Sequence, residues 1–139
     1  MIISTKADKV NSNRQIAAIL REILINEDPG DQDKEHFWAV GLDSQNYIKY
    51  IELVCLGVST YVPVEPKETF RQAITHGADR LIIAHNHPSG DVEPSDNDIK
   101  ITQRLARAGE ILNIPIVDHI IISRDNLYYS LAMKNRAHS

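Results

Sequence analysis

Between residues 12 and 25 the apolar residues Ile16, Ile19, Leu20, Ile23 and Leu24 recur at spacings of three and four. That spacing sets them along one stripe of a helix, with Ser12 or Asn11 as its cap. Residues 26–34 are polar around Pro29-Gly30 and predict a loop. The period then changes. Residues 37–42 are aromatic and apolar, 43–46 have turn chemistry, and 47–56 read as the returning strand of a hairpin. Gly57 breaks the run, and 59–64 predicts a further strand. Residues 67–76 predict a helix with Phe70, Ala73 and Ile74 on one side and Gly77 as its stop. The unbroken run 81–84 predicts a buried strand over 80–85. Residues 96–112 predict a helix through Ile101, Leu105, Ala108, Ile111 and Leu112. A β-branched strand at 115–123 and a short one at 126–131 complete the pattern. An early hairpin followed by strand–helix alternation predicts an α/β fold with a sheet of mixed strand directions.

Composition adds boundaries. The 139 residues, 42% hydrophobic and 24% charged, predict one globular domain over 1–139. Within it the pattern separates a helix at 12–25, an acidic loop at 26–34 and a core at 35–131. The longest apolar runs are about four residues, against about twenty for a membrane span. The first ten residues lack the apolar core of a signal peptide, so the expected location is cytoplasmic. The single Cys55 excludes an internal disulfide framework and a cysteine-based zinc site, and reads as an inert strand thiol. A formal charge of −4 argues against broad nucleic-acid affinity, which rests on phosphate neutralisation, though not against a local basic groove.

Chemistry concentrates in one stretch. His85 and His87 lie two apart at the end of an apolar strand, so period-two alternation turns both imidazoles to the same side. Pro88 and Gly90 then turn the chain, and Asp98 falls in the first turn of the next helix. Two histidines and one carboxylate make a catalytic zinc set with a fourth position left for water. Bound water is acidified toward neutrality there. Ser95-Asp96-Asn97-Asp98 also fits a capping box, and the two readings of Asp98 are compatible. The letters His85-Asn86-His87 spell a nuclease motif, but that motif spreads its residues over a longer unit. The Pro-Cys-x-x-Cys of the zinc nucleobase deaminases is absent.

His85-x-His87, seven residues, Ser95, two residues and Asp98 resemble the JAMM signature of MPN-type (JAB-type) metalloprotease domains. The string His85-Asn86-His87-Pro88-Ser89-Gly90 is similar to the RadC subfamily. Glu35-His36-Phe37, Leu42-Asp43-Ser44-Gln45, Pro63-Val64-x-Pro66-x-Glu68 and Asp118-His119 extend the resemblance over 34–130. It implies a curved mixed sheet between helices, with the layering of cytidine deaminases. It implies His85, His87 and Asp98 as zinc ligands, Glu35 as general acid/base on the metal-bound water, and Ser95 as hydrogen-bond donor to water or oxyanion. Taken alone, Glu35 ends an acidic loop and reads as a solvated carboxylate. Asp118 and His119 read as hydrogen-bonded strand residues, with a supporting role behind the ligands as the lesser reading.

The implied reaction is hydrolysis of an amide or isopeptide bond in a peptide or protein substrate. Two other readings stand beside it: a DNA-associated accessory protein, and a metal-dependent nuclease using the same water. Longer members of the subfamily carry a helix–hairpin–helix segment, whereas residues ahead of Glu35 read here as one helix and a loop.

Overall fold

The computed structural model of the chain describes residues 1–57 and 64–138. In chain order the elements are β1 (Ile2–Ser4), α1 (Asn13–Ile25), α2 (Pro29–Gln32), β2 (Glu35–Leu42), β3 (Ile48–Gly57), α3 (Pro66–Thr75), β4 (Arg80–Asn86), α4 (Asp96–Leu112), β5 (Ile116–Ile122), β6 (Leu127–Ser130) and β7 (Asn135–His138). The strands form one sheet in the order β1-β3-β2-β4-β5-β6-β7. Strand β4 runs parallel to β5 and antiparallel to β2. The other neighbours pair antiparallel. A parallel pair needs a long crossover, and α4 supplies it. The expected α/β fold with a mixed sheet flanked by helices is the fold observed.

Alternation along the central strands divides the core in two. Trp38 and Val40 of β2, with Ile82 and Ala84 of β4, pack against Ile16, Ala17, Leu20 and Leu24 of α1. Phe37, Ala39, Leu81 and Ile83 face the opposite way, onto Phe70 and Ala73 of α3 and Leu105 of α4. The two strands are buried on both faces, which is why they read as continuous apolar runs. Full burial of a large aliphatic side chain is worth about 1.5–3 kcal/mol, so the stripe of α1 alone anchors that helix. At Gly41 the ring of Tyr50 lies where a side chain would go: a Cβ there would collide with Tyr50 Cε1.

Most expected elements appear within two residues of their predicted bounds, and α4 matches its range. Four details differ. Pro29 starts a single helical turn, α2, inside the expected loop. Strand β2 begins at Glu35, because Glu35 and His36 pair with Gly57 and Leu56. Strands β1 and β7 add an edge on each side of the sheet. The strand expected at 59–64 lies outside the described residues except for Val64, which is buried. Among the described residues no helix is long and apolar enough to cross a membrane.

A buried carboxylate ties the sheet to α1. Asp118 on β5 is 4% exposed. It accepts from Asn13 Nδ2 at 2.6 Å, Ser130 Oγ at 2.6 Å, and the N–H groups of His119 and Ala132 at 2.7 and 3.0 Å. Four donors from α1, β5, β6 and the turn after β6 thus converge on one carboxylate. Burial raises its carboxyl, and hydrogen bonds from Ser130, Ala132 and His119 pull it back. Asp118→Asn replaces an acceptor oxygen by an amide that faces donors. Urea unfolding should show a loss of about 1–3 kcal/mol, the usual cost of a buried polar group left unpaired.

Candidate metal centre and catalytic cleft

The site forms where β4 ends. His85 lies on the side of the sheet that carries α3 and α4, and Asn86 points the other way. The chain leaves the strand at His87, whose N–H still bonds the carbonyl of Ile122 at 3.0 Å. Gly90 N–H closes the following turn onto His87 O at 3.0 Å, with Gly90 at φ +90°, a conformation that favours glycine. Val92 is fully buried and pins the loop. Helix α4 then opens with a complete capping box: Ser95 Oγ accepts from Asp98 N–H at 3.1 Å, and Asp98 Oδ2 accepts from Ser95 N–H at 2.9 Å. Both readings of Asp98 therefore hold. The cap fixes its rotamer, and the fixed rotamer turns the carboxylate to the histidines.

His85 Nε2 lies 3.2 Å from Asp98 Oδ1, and His87 Nε2 lies 3.1 Å from Asp98 Oδ2. The two Nε2 atoms are 2.9 Å apart. Two imidazole lone pairs cannot face each other at that distance unaided; a proton or a cation must lie between them. The three side chains bring their donor atoms within 4.8 Å of one another and can together hold a metal ion. His87 Nδ1 donates to the carbonyl of Asp91 at 2.7 Å, an oxygen that can only accept. In a neutral ring this leaves the Nε2 lone pair for the site.

The charges divide unevenly. Burial alone would raise Asp98, but hydrogen bonds from His85, His87 and Ser95 hold its carboxyl well below the usual carboxylate range. Burial lowers His85, against the pull of Asp98. Burial also lowers His87, but Asp98 and the carbonyl of Asp91 outweigh it, so His87 is raised.

Glu35 and Ser95 line the same cavity of about 480 Å³ as His85, His87 and Asp98. Burial raises the Glu35 carboxyl; the nearby His87 opposes this and Asp98 adds to it. Accepting the cap bond uses a lone pair of Ser95 and not its proton, so its O–H can still donate. All five expected site residues are therefore brought to one cavity. Cys55 lies opposite Phe37 on β3, where burial pushes its thiol up, as an inert strand thiol requires.

Three residues complete the arrangement beyond those singled out as ligands or catalysts. Asn86 is 1% exposed. Its Oδ1 accepts from His36 N–H, and its Nδ2 donates to Lys34 O at 3.0 Å. The two bonds bracket Glu35 on both sides. The sequence carried a signal here, since a buried amide closing an apolar strand must find partners. His119, read from the sequence as a hydrogen-bonded strand residue, is 1% exposed and lies with Nε2 2.7 Å from His85 Nδ1. Thr102 on α4 hydrogen-bonds the other nitrogen of His119. Burial holds His119 well below the ordinary histidine range.

A family model described as the RadC-like JAB domain matches residues 10–136, so α1 is part of the matched unit. A UPF0758 protein of Picosynechococcus is 46% identical over 104 residues, covering 75% of this chain and 43% of the relative. A UPF0758 protein of Desulforudis audaxviator is 46% identical over 111 residues, covering 80% of this chain and 48% of the relative. Another, of Finegoldia magna, is 42% identical over 113 residues, covering 81% and 49%. The chain thus spans about half the length of the curated relatives it matches. With the family model spanning nearly the whole chain and its His-His-Asp cluster assembled, the chain belongs to the RadC-like JAB domain family.

Proposed function

We propose that this chain is a zinc-dependent metallohydrolase that cleaves an amide or isopeptide bond in a peptide or protein. The observation that carries the reading is the convergence of His85 Nε2, His87 Nε2 and the Asp98 carboxylate in a cavity that Glu35 and Ser95 also line. Two imidazoles and one carboxylate are a donor set suited to zinc with a position left open. Zinc held there supplies Lewis acidity, polarising a carbonyl and lowering the pKa of water.

The residues of the chain do the rest. Glu35 takes a proton from the attacking water as the carbonyl carbon gains its new C–O bond. Glu35 then delivers that proton to the nitrogen as the C–N bond breaks. Its raised carboxyl makes it the stronger base for the first transfer. The Ser95 hydroxyl donates to the carbonyl oxygen as negative charge develops. Asn86 keeps Glu35 in place through the backbone on either side of it.

Charge in the cavity favours this reading over a phosphodiesterase. Glu35, Asp98 and Asp33, the last paired with Arg124 at 2.9 Å, line it, and among the described lining residues Lys34 is the single lysine or arginine. The Lys34 ammonium is itself paired with Asp31 at 2.7 Å. A polyanion finds little there to neutralise its phosphates.

Metal binding is the first test. Protein purified without added metal and then offered zinc should hold it near-stoichiometrically by elemental analysis, and His87→Ala should lose it. Affinity should rise with pH through the histidine range. Below it a proton occupies His87 Nε2 and competes with zinc; that competition begins above the ordinary histidine value of about 6.5, since His87 is raised. Uptake that is indifferent to pH between about 5 and 8 speaks against imidazole ligands.

Turnover is the second test. In a mass-spectrometric screen of a peptide library, Glu35→Gln should lower cleavage of the best substrate by about 10²–10⁴-fold while zinc stays bound. Unchanged cleavage by that variant removes Glu35 from the mechanism. Zinc-dependent cutting of DNA oligonucleotides, with all peptides intact, would replace the amide by a phosphodiester.

A further inference from the structure

Two imidazoles and a carboxylate explain the ligands, but not why a third, fully buried histidine stands behind one of them. His119 on β5 has no carboxylate partner within hydrogen-bond distance among the described residues. Instead it sits in a chain of short contacts. His85 Nδ1 meets His119 Nε2 at 2.7 Å. His119 Nδ1 meets Thr102 Oγ1. The Thr102 hydroxyl donates to Asp98 O at 2.7 Å. The chain leaves one candidate ligand and returns to the backbone of another, one helical turn before Thr102.

Direction along this chain is set by its end. A carbonyl oxygen only accepts, and a neutral imidazole has one donor and one acceptor nitrogen. With Thr102 O–H given to Asp98 O, Thr102 Oγ1 can only accept from His119 Nδ1–H. His119 Nε2 is then the acceptor, and His85 Nδ1–H donates to it. His85 Nε2 is left with a lone pair aimed at His87 and Asp98. Were the direction reversed, Thr102 would give up Asp98 O, and the proton of His85 would sit on Nε2, blocking it as a ligand.

We propose that His119 and Thr102 form a hydrogen-bond relay that positions His85 as a metal ligand, by accepting from His85 Nδ1–H so that the Nε2 lone pair faces the site. The inference rests on the zinc reading above. An imidazole suits this place better than a carboxylate. It accepts without adding negative charge beside Asp98, and burying a second anion there would be costly. Phe37 completes the clamp: it stacks on His85 at 6.4 Å and meets His119 edge-on at 6.0 Å. His119 and Thr102 act through His85 and are positioning residues.

The test is zinc affinity by chelator competition on the full chain, with ¹⁵N NMR of the histidine rings. His119→Leu, which cannot accept, should weaken zinc about 10–100-fold, the usual effect of losing a group that orients a ligand. His119→Gln, whose amide oxygen can accept from Nδ1–H, should recover most of that loss. Thr102→Val should weaken zinc by a smaller factor. In the zinc-loaded wild type, His85 and His119 should both carry their proton on Nδ1. Wild-type zinc binding with all three variants equal to it overturns the relay. So does a zinc-loaded His119 protonated on Nε2, a measurement that holds even where a variant fails to fold. A wild type that takes up no zinc overturns the metal reading and the relay with it.

Discussion

The pairing of Phe37 with His85, where β2 runs antiparallel to β4, holds the two halves of the site in register. Glu35 comes from the start of β2, His85 from the end of β4, and His87 from the turn just after it. Strand side chains alternate with a period of two, so a slip of one residue would send one of these groups to the other face. The ladder itself stops short of Glu35 on the β4 side. There the Asn86 amide takes over, bonding the backbone before and after Glu35. The same residue therefore ends the strand and continues its pairing by a side chain. Helix α4 adds the third ligand by a cap, and His87, just past the strand, is held by the carbonyls of Ile122 and Asp91.

The electrostatics follow from that packing. Asp98 is the anion of the cluster, held ionised by its neighbours although it is buried. It lies in the first turn of α4, where the helix dipole favours negative charge. His85 and His119 are both pushed toward the neutral form by burial, which suits rings that bind through lone pairs. Glu35 stands apart, raised by desolvation and half-shared between the charges of His87 and Asp98. One cavity thus keeps one carboxylate ionised and makes another more basic, the separation that acid–base chemistry at neutral pH requires.

Much of this was legible in the sequence. The stripe of α1, the double-faced strands β2 and β4, and the capped helix α4 all announce themselves through period and punctuation. His85, His87 and Asp98 were readable because they lie close together on a strand, a turn and a helix start; Ser95 read alone as a cap, and its place in the site, like that of Glu35, came from the family resemblance. What escaped was long-range or short. Strands of three and four residues, β1 and β7, are too brief to show a period. The beginning of β2 at an acidic residue is imposed by its partner β3, not by its own composition. Asn86 meets His36 across 50 positions and His119 meets His85 across 34, so the sequence shows that Asn86 needs partners but names neither pair. Thr102 on α4 looks like any polar helix residue until His119 is placed beside it.

The capping box at Ser95 and Asp98 gives one residue two employers. An N-cap is worth about 1 kcal/mol to a helix whatever happens in the cleft. Selection on the fold alone would keep Ser-x-x-Asp at this place in a descendant that had lost all chemistry. The pattern therefore ages slowly and is a poor witness to activity. Glu35 has no such second duty: it caps nothing, and its partial burial raises its carboxyl. Among sequences that share this architecture, the fate of that glutamate is the more informative record of the proposed chemistry.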